Sequence, residues 1–459
     1  MKTEDLYSLF RLHPAVSTDS RNILPDGLFF ALKGPRFNGN AFAAQALESG
    51  AAYAIVDEEA FASHERCILV PDVLNSLQNL AWYHRSQLRI PVIGITGSNG
   101  KTTTKELLHA VLSQRFITLA TKGNLNNHIG VPLTVLQITD DTEVAIVEMG
   151  ANHQKEIELL CSIAQPTHGL ITNIGKAHLE GFGSLEGVMK GKKELYDSLS
   201  MNQGRAFVCA DNPLLVEMAA QLKQITWYGS AQGCARGGDQ GDGAQKADHG
   251  GAQAPSCDVC GALIATGAHG LQFSWRKKGN GEEHVVHSAL SGEYNFENLL
   301  AAVCIGNHFG LSPDQIRQGI ENYVPSNNRS QELQQGSNLL LLDAYNANPG
   351  SMAAALRNLA ARTSANKVAI LGDMFELGEY SPDEHAAVVE LLEELHIPKA
   401  ILVGPEFYRH RKSNAGLHFF KTLEEAGSWL KEHPLQESLI LLKGSRGMQL
   451  EKLLPFLDS

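Results

Sequence analysis

One segment constrains the fold of this chain more than any other: an apolar run that enters a glycine-rich turn and continues as an amphipathic helix. Residues 91–96 (PVIGIT) predict a buried strand, residues 97–100 (GSNG) a turn, and the pattern from Lys101 onward a helix. Glycines let backbone amides approach phosphate oxygens, Lys101 adds a positive charge, and the Thr102 hydroxyl can bind Mg²⁺. The segment therefore predicts a phosphate-binding loop inside an α/β domain.

The match to the strict Walker pattern is incomplete, because that pattern has a glycine where this chain has Ile95. The strand, the turn glycines, the lysine, the threonine and the helix nevertheless follow in the required order. We therefore interpret the segment as a nucleotide phosphate loop and not as a chance Gly-Lys pair.

Strand-like and helix-like runs alternate on both sides of this loop, which is typical of βαβ units and a mostly parallel sheet. At roughly 150 residues per domain, a chain of 459 residues predicts three α/β domains. We place them at residues 1–88, 89–322 and 323–459. Residues 229–256 are low in complexity and contain no large aliphatic side chain, so we expect a lengthened surface loop within the second domain.

Composition excludes several classes of protein. The net charge of −12 argues against general nucleic-acid binding, which needs a basic surface. No apolar stretch reaches the ~18 residues of a membrane-spanning helix, so we expect no membrane insertion. Glu4 and Asp5 stand where a signal peptide carries basic residues, which favours a cytoplasmic location.

The seven cysteines are scattered and odd in number, as expected in a reducing compartment. Cys257 and Cys260 have the spacing of a zinc-binding pair, but no second Cys/His pair lies at ligand spacing. Because two cysteines cannot close a tetrahedral site, we expect no zinc there.

Three further residues are candidates for chemistry near the loop. Glu148 ends an apolar strand, where a carboxylate can reach the phosphate crevice and hold a metal ion; a solvated strand-end charge is the alternative. His178 follows another strand and is, on spacing alone, more typical of a surface histidine. Lys192 falls in the apolar stripe of the helix predicted over 184–200. Such a lysine extends to solvent, pairs with another group, or has a lowered pKa and can form a carbamate with CO₂.

The chain resembles the Mur ligases, ATP-dependent amide-forming enzymes of peptidoglycan assembly, over almost its full length apart from residues 229–256. The segments that carry the resemblance are TDSR (18–21), GLFFALKG (27–34), TGSNGKTTTKE (96–106), TKGNLNNHIGVPLT (121–134), VEMGANH (147–153), NIGKAHLEGFGS (173–184), GKKEL (191–195), YNFENLLAA (294–302), DAYNANPGSM (343–352), LGDMFELGE (371–379) and KGSRGMQLE (443–451). The resemblance implies an N-terminal UDP-binding α/β unit, a central P-loop-type ATPase domain and a C-terminal Rossmann-like α/β domain.

The resemblance also implies the roles of individual residues. Lys101, Glu148, His178 and Lys192 are expected to be catalytic, and Thr102, Glu148, His178 and a carbamylated Lys192 to surround two Mg²⁺ ions. The expected ATP contacts are Gly97, Ser98, Asn99, Gly100, Lys101, Thr102, Thr103, Asn298, Arg329, Asp343 and Asn346.

Substrate contacts are implied in all three domains. Ser20, Arg21, Lys33 and Gly34 are expected near uridine or diphosphate, although relatives often have Asp-Gly-His where this chain has Asn38-Gly39-Asn40. Asn127, Lys443, Ser445 and Arg446 complete the expected substrate contacts.

Two segments of the third domain indicate which family activity to expect. LGDMFELGE and KGSRGMQLE resemble the corresponding segments of the enzyme that adds D-alanyl-D-alanine to a UDP-N-acetylmuramoyl tripeptide. The Asp-Asn-Pro-Arg motif of a diaminopimelate-adding relative is matched only in part, by Asp211-Asn212-Pro213-Leu214 in the second domain.

We expect a monomer.

Other functions stay open from the sequence. They are another Mur-type or folylpolyglutamate-type ligase, a kinase that uses the same loop, and a nucleotide-binding regulator without catalysis. The TDSR and FFALKG segments argue against the folylpolyglutamate type, and the joint presence of the loop lysine and the candidate metal ligands argues against a silent regulator.

Overall fold

The apolar strand that precedes the glycine-rich turn lies inside the largest of three main sheets in the computed structural model. The structure describes residues 1–235, 255–267, 270–279, 281–325, 329–412, 414 and 416–457. Most of the low-complexity insertion, residues 236–254, thus lies outside the described residues.

The N-terminal part contains three α-helices and six short strands. They are α1 (Thr3–Leu12), β1 (Val16–Ser17), β2 (Leu28–Phe30), β3 (Lys33–Gly34), β4 (Phe37–Asn38), α2 (Ala43–Glu48), β5 (Tyr53–Val56), β6 (Cys67–Leu69) and α3 (Val73–Gln87). A parallel sheet has the strand order β1-β2-β5-β6, and β3 pairs with β4 in an antiparallel turn. The Asp72 side chain caps α3 by accepting from Asn75 N at 2.7 Å.

The described residues of the central part form nine strands and several helices, among them the phosphate-loop helix. Its elements are β7 (Val92–Thr96), α4 (Lys101–Leu112), β8 (Thr118–Ala120), α5 (Gly130–Val135), β9 (Val144–Glu148), α6 (Glu156–Ala164), β10 (His168–Ile171), α7 (Leu179–Phe182), α8 (Leu185–Met201), β11 (Arg205–Cys209), α9 (Pro213–Met218), β12 (Ile225–Ser230), α10 (Ala231–Ala235), β13 (Val259–Gly267), β14 (Gly270–Lys277), β15 (His284–Ser288), α11 (Phe296–His308) and α12 (Pro313–Glu321).

The central sheet has the order β15-β14-β13-β12-β11-β10-β7-β9-β8. Every pair from β13 to β8 is parallel, and β14 and β15 add an antiparallel edge. The segments that follow β7, β9 and β10 therefore leave the sheet at the same edge, next to the N-terminus of α4. This topology positions the site described below.

The C-terminal part has a six-stranded sheet. Its elements are β16 (Gln331–Gln335), β17 (Asn338–Leu342), α13 (Pro349–Ala361), β18 (Lys367–Gly372), α14 (Ser381–Glu394), β19 (Lys399–Val403), α15 (Pro405–Arg409), β20 (Leu417–Phe420), α16 (Leu423–Glu432) and β21 (Leu439–Lys443). The order is β16-β17-β21-β18-β19-β20, and only β16 runs antiparallel to its neighbour. Short 3₁₀ helices lie at Gly39–Phe42, Glu59–Phe61, Glu293–Asn295, Gly378–Tyr380, Arg446–Met448 and Leu450–Phe456.

The three-domain α/β architecture expected from the sequence is confirmed, and the predicted strands lie within a few residues of the observed ones. The described helices include none that is both long and apolar enough to cross a membrane. The predicted surface loop at 229–256 needs one correction, because its first residues end β12 and form α10.

The cysteines are less scattered in the fold than in the sequence, because three of them meet at one place. Cys234 and Cys260 are paired as a disulfide, and Cys257 lies beside them. Spacing alone could not reveal this cluster, since Cys234 reaches the other two only when β12 and β13 pair in parallel.

Candidate active site

A cleft of about 670 Å³ opens where the carboxyl edge of the central sheet faces the C-terminal sheet. The expected residues that line it are Ser98, Asn99, Gly100, Lys101, Thr102, Thr103, Asn127, Glu148, His178, Asn298, Arg329, Asp343, Asn346 and Lys443. Residues from widely separated parts of the chain thus meet in one polar cavity.

The glycine-rich turn has the geometry of a phosphate cradle. Gly97 has φ +142° and Gly100 has φ +78°, both in a range that side chains rarely adopt. A Cβ at Gly97 would lie 2.0 Å from the Thr172 hydroxyl, so glycine is required there. Asn173 steadies the turn by accepting from Asn99 N at 2.9 Å.

Lys101 begins α4 and folds back over the turn. Its ammonium donates to the carbonyls of Gly97 at 2.6 Å and Ser98 at 3.2 Å. Burial lowers the pKa of Lys101 to about 8; the Glu148 carboxylate opposes this shift, and Arg329 adds to it. An anion bound in the turn would supply the counter-charge that this ammonium lacks.

Thr102 and Glu148 are in direct contact. The Thr102 hydroxyl donates to Glu148 Oε2 at 2.9 Å, and Glu148 is only 1% exposed at the end of β9. Asn126 donates to the same carboxylate at 2.8 Å, and the Lys105 ammonium lies 3.8 Å from it. A hydroxyl and a carboxylate held side by side are oxygen ligands that suit Mg²⁺.

Lys105 and Asn126 are residues that the sequence reasoning missed. Lys105 is fully buried on α4, where it donates to the Thr121 carbonyl at 2.6 Å. Its position one helical turn after Lys101 was a usable signal, because a lysine on the buried face of α4 needs an anionic partner.

Lys192 is buried, at 1% exposure, as its place in the apolar stripe of α8 predicted. Burial, assisted by the charge of Lys101, lowers the pKa of Lys192 well below its usual range, while Glu156 and Glu194 oppose the shift. Its ammonium donates to the Ala151 carbonyl at 3.3 Å. Lys192 does not itself line the cleft, although Ala151 and Glu156 do.

His178 connects the central and C-terminal parts of the chain. It has φ +53° after β10, and its Nδ1 atom lies 2.5 Å from Glu376 Oε2. The imidazole lowers the pKa of the Glu376 carboxyl by hydrogen bonding and charge, against its partial burial. Glu376 lines the cleft but was missed, because a glutamate in LGDMFELGE has no distinguishing spacing.

Other contacts join the same two parts. Asn348 donates to Asn99 at 2.8 Å, so the residue that caps α13 touches the phosphate turn. The Lys176 ammonium lies 2.5 Å from Glu384, and the Tyr380 hydroxyl donates to the Gly183 carbonyl at 3.2 Å. The cleft is therefore bridged by direct contacts between the two parts.

The wall of the cleft near α11 carries the other expected nucleotide contacts. Asn298 is 7% exposed and accepts from the Thr104 hydroxyl at 3.0 Å. The Arg329 guanidinium lies 3.6 Å from the centre of the Tyr345 ring, a cation–π contact that places a flat cationic surface in the cleft.

The three residues expected to contact substrate in the C-terminal part all have partners in the structure. Lys443 is buried and paired with Asp343 at 2.5 Å, so its charge is already balanced. Ser445 accepts from Phe375 N at 2.8 Å, and Arg446 pairs with Glu451 at 3.2 Å. Ser445 and Arg446 are not among the residues that line the cleft.

The four expected UDP contacts do not line the cleft either. Lys33 lies 3.1 Å from Asp57, and Arg21 pairs with Asp19 at 2.7 Å. A second cavity of about 690 Å³ lies between the N-terminal and central parts. Its lining includes Thr18, Asp19, Asn22, His84 and Lys122, but not Ser20, Arg21, Lys33 or Gly34.

The segment 122–127 borders both cavities. Lys122 and Leu125 line the second cavity, whereas Asn124, Asn126 and Asn127 line the cleft. The Asn127 side chain also accepts from the backbone nitrogen of Gly130, the first residue of α5, at 2.9 Å. An elongated molecule can thus extend from one cavity to the other along this segment.

Three family models match consecutive parts of the chain. They are the Mur ligase family catalytic domain at residues 14–93, the Mur ligase middle domain at 95–306, and the Mur ligase glutamate ligase domain at 328–446. The middle-domain match contains the phosphate turn, Glu148, His178, Lys192 and Asn298.

Two curated relatives match nearly the whole chain. A UDP-N-acetylmuramoyl-tripeptide–D-alanyl-D-alanine ligase of Bacillus subtilis (strain 168) is 34% identical over 95% of this chain and 92% of its own length. The ligase of the same name from Escherichia coli (strain K12) is 36% identical over the same shares.

Solved structures show the same architecture. MurF from Acinetobacter baumannii is 33% identical with a TM-score of 0.83, over 96% of this chain and 92% of that one. MurF ligase from Thermotoga maritima in complex with ADP is 25% identical with a TM-score of 0.81, over 97% of each chain. The matches in sequence and structure extend through all three parts, and the chain belongs to the Mur ligase family.

Proposed function

We propose that this protein is an ATP-dependent ligase that joins D-alanyl-D-alanine to UDP-N-acetylmuramoyl tripeptide, a step of peptidoglycan biosynthesis and thus of cell-wall growth, shape and division. The observation that carries the proposal is the cleft itself, in which the glycine-rich turn before α4 faces residues of the C-terminal part. The full-length likeness to ligases of this name supports the choice of substrates.

A carboxylate needs activation before an amine can attack it. Transfer of the γ-phosphoryl group of ATP to the terminal carboxylate of the tripeptide gives an acyl phosphate and ADP. The amine of D-alanyl-D-alanine then attacks the acyl carbon, phosphate leaves, and the nitrogen loses a proton.

The chain must bring two anions together in the first step, and its own cations reduce their repulsion. Lys101 is half-buried above the turn, and the backbone amides at the start of α4 face the same space. Arg329, stacked on Tyr345, adds a second positive charge at the cleft wall. We assign ATP to this region, with Asn298, Asp343 and Asn346 as neighbouring contacts.

The donor set at Thr102 and Glu148 fits magnesium, because both offer oxygen atoms within one hydrogen bond of each other. His178, beside Glu376, is the candidate for a second ion. Bound Mg²⁺ would neutralise charge on the phosphates and on the developing oxyanions. Two such ions are proposed from the family resemblance together with this donor set.

We also propose a carbamylated Lys192. The buried amine has a lowered pKa, so a larger fraction of it is neutral and can add to CO₂. The product is an anion next to Ala151 and Glu156, at the edge of the cleft, where it would face the metal ions.

Substrate placement follows from the two cavities. The UDP end is proposed for the second cavity, from which the peptide extends along 122–127 to the turn. The N-terminal, central and C-terminal domains, proposed at 1–88, 89–322 and 323–459, would then bind UDP-substrate, ATP and dipeptide. A cytoplasmic location and a monomeric state stay predictions.

The test is phosphate release from ATP in the presence of UDP-N-acetylmuramoyl tripeptide. Release should depend on D-alanyl-D-alanine and should be much slower with single amino acids. Equal release with D-glutamate or diaminopimelate would support a different family activity. Release without any amine would support hydrolysis of ATP instead, and formation of ADP without release of phosphate would support a kinase.

A folylpolyglutamate-type activity is less well supported. The folylpolyglutamate synthase of Mycobacterium tuberculosis shares the fold at 15% identity and a TM-score of 0.60, over 83% of this chain. The second cavity depends on residues 10–24, which lie in the N-terminal part. Folate competition in the phosphate-release assay separates the two activities.

A further inference from the structure

Three cysteines meet at the base of the 229–256 insertion, outside the cleft. Cys234 lies in α10, Cys260 is the second residue of β13, and Cys257 lies two residues before that strand begins. Their Sγ atoms all lie within 4.8 Å of one another. The cysteines elsewhere in the described residues, Cys67, Cys161, Cys209 and Cys304, are unpaired.

The parallel pairing of β12 with β13 creates this cluster. Gly229 on β12 is opposite Cys260 on β13, and α10 folds back so that the Cys234 thiol lies 3.6 Å from the Gly229 carbonyl. Cys257 is 3% exposed beneath them. The two ends of the insertion are thus brought together by sulfur atoms.

We propose that Cys234, Cys257 and Cys260 form a zinc-binding site when their thiols are reduced. Sulfur ligands around a tetrahedral zinc ion, with Zn–S distances of ~2.3 Å, lie roughly 3.8 Å apart, a spacing that the cluster permits. Binding converts three thiols into thiolates and releases three protons, and water takes the fourth position. Because Cys234 and Cys260 are closed as a disulfide in the structure, a thiol or phosphine reductant must first supply two electrons, and water supplies the two protons that restore both thiols.

Zinc accounts for all three cysteines, whereas a disulfide between Cys234 and Cys260 leaves the Cys257 thiol unused. The bound ion would link Cys234 to Cys257 and Cys260 and so hold together two points of the chain that, for Cys234 and Cys260, are 26 residues apart. Because β12 is separated from β7 by β11 and β10, this role is structural and independent of the proposed ligase activity.

The test uses the full chain, purified without an affinity tag, reduced with a phosphine, incubated with Zn²⁺ and freed of excess metal. Elemental analysis should find about one zinc ion per chain. Cys234→Ala and Cys260→Ala should lower this content several-fold, while the control Cys67→Ser, outside the cluster, should retain it. Substitution with Co²⁺ should give a thiolate-to-cobalt charge-transfer band that Cys234→Ala removes.

Cys234 lies in a short helix outside the sheet. The Cys234→Ala enzyme should therefore keep the wild-type rate of ligation, and this rate shows that the variant is folded. Equal zinc in the wild type and in both cluster variants would overturn the proposal, as would a reduced wild type that retains no zinc. Recovery of a Cys234–Cys260 disulfide in zinc-free, reductant-treated protein would show that the pair serves as a covalent link instead.

Discussion

His178 Nδ1 lies 2.5 Å from Glu376 Oε2, and this pair joins the central sheet to the C-terminal sheet across the cleft. The backbone reinforces the contact, since Glu180 N donates to the Glu376 carbonyl at 3.1 Å. A candidate metal ligand on one part of the chain is therefore held by a carboxylate from another. The two parts cannot separate without breaking this pair.

Replacing Glu376 by glutamine should loosen the unliganded enzyme. Loss of the carboxylate charge weakens its attraction to His178, so the radius of gyration from small-angle X-ray scattering should increase without nucleotide. Ligation should slow by only about two- to five-fold, because partly exposed ion pairs contribute up to ~1 kcal/mol. Glu379→Gln, an exposed carboxylate in the same segment, is the matched control; equal radii for both variants and the wild type would count against the pair.

ATP binding should depend on pH through Lys101. Its pKa of about 8 means that the free enzyme loses this positive charge as pH rises through that value, so the affinity for ATP should fall there. The free energy of unfolding also depends on pH through this residue. In the unfolded chain the lysine keeps its proton up to its usual pKa of 10.5, so the contribution of Lys101 to stability increases between about pH 8 and pH 10.5. Titration calorimetry across this range checks the binding, and Lys101→Arg should remove the inflection. A wild-type affinity that is flat through this range would contradict the assignment.

Lys192→Ala should inactivate the enzyme, and short carboxylate anions such as acetate or formate should restore part of the activity by occupying the space of the carbamate. Lys193→Ala, the matched control, changes the neighbouring residue, which is partly exposed. It should keep its activity without added carboxylate anions. A readout independent of activity is a carbamate carbon signal in the NMR spectrum of protein equilibrated with ¹³C-bicarbonate, present in the wild type and missing in Lys192→Ala. Full activity of Lys192→Ala without any added anion would remove the carbamate from the mechanism.

Gly97→Ala should destabilise the phosphate turn. The new Cβ would lie 2.0 Å from the Thr172 hydroxyl and 3.0 Å from its backbone nitrogen, on a residue with φ +142°. We expect thermal denaturation to show a loss of about 1–3 kcal/mol, together with weaker ATP binding. Gly281→Ala, where no atom lies within 4 Å of the added Cβ, should be neutral; an equally neutral Gly97→Ala would mean that the turn can rearrange.

Local features of the site were predictable from the sequence because they depend on short segments. The turn at 97–100, the strand-end position of Glu148 and the burial of Lys192 follow from glycine placement and apolar periodicity. Glu376, by contrast, reaches His178 only through packing between two sheets, which no single segment encodes. The pairing of Lys443 with Asp343 arises likewise because β21 and β17 are neighbours in the sheet.

The N-terminal contacts show a different limit. The roles of Ser20, Arg21, Lys33 and Gly34 near UDP rest on resemblance and stay predictions, whereas the lining of a cavity depends on which side chains the packing turns toward it. Here Lys33 is directed to Asp57, and Thr18, Asp19 and Asn22 line the second cavity instead.

The most direct test of the mechanism follows the oxygen atoms of the acceptor. UDP-N-acetylmuramoyl tripeptide labelled with ¹⁸O in its terminal carboxylate is incubated with ATP, D-alanyl-D-alanine and enzyme, and the phosphate is analysed by mass spectrometry. If the turn at residue 97 presents the γ-phosphate to the carboxylate, each phosphate released should carry one ¹⁸O atom, and Lys101→Ala should release at least ~100-fold less. Unlabelled phosphate formed together with ligated product, or a Lys101→Ala enzyme that works at the wild-type rate, would contradict the mechanism.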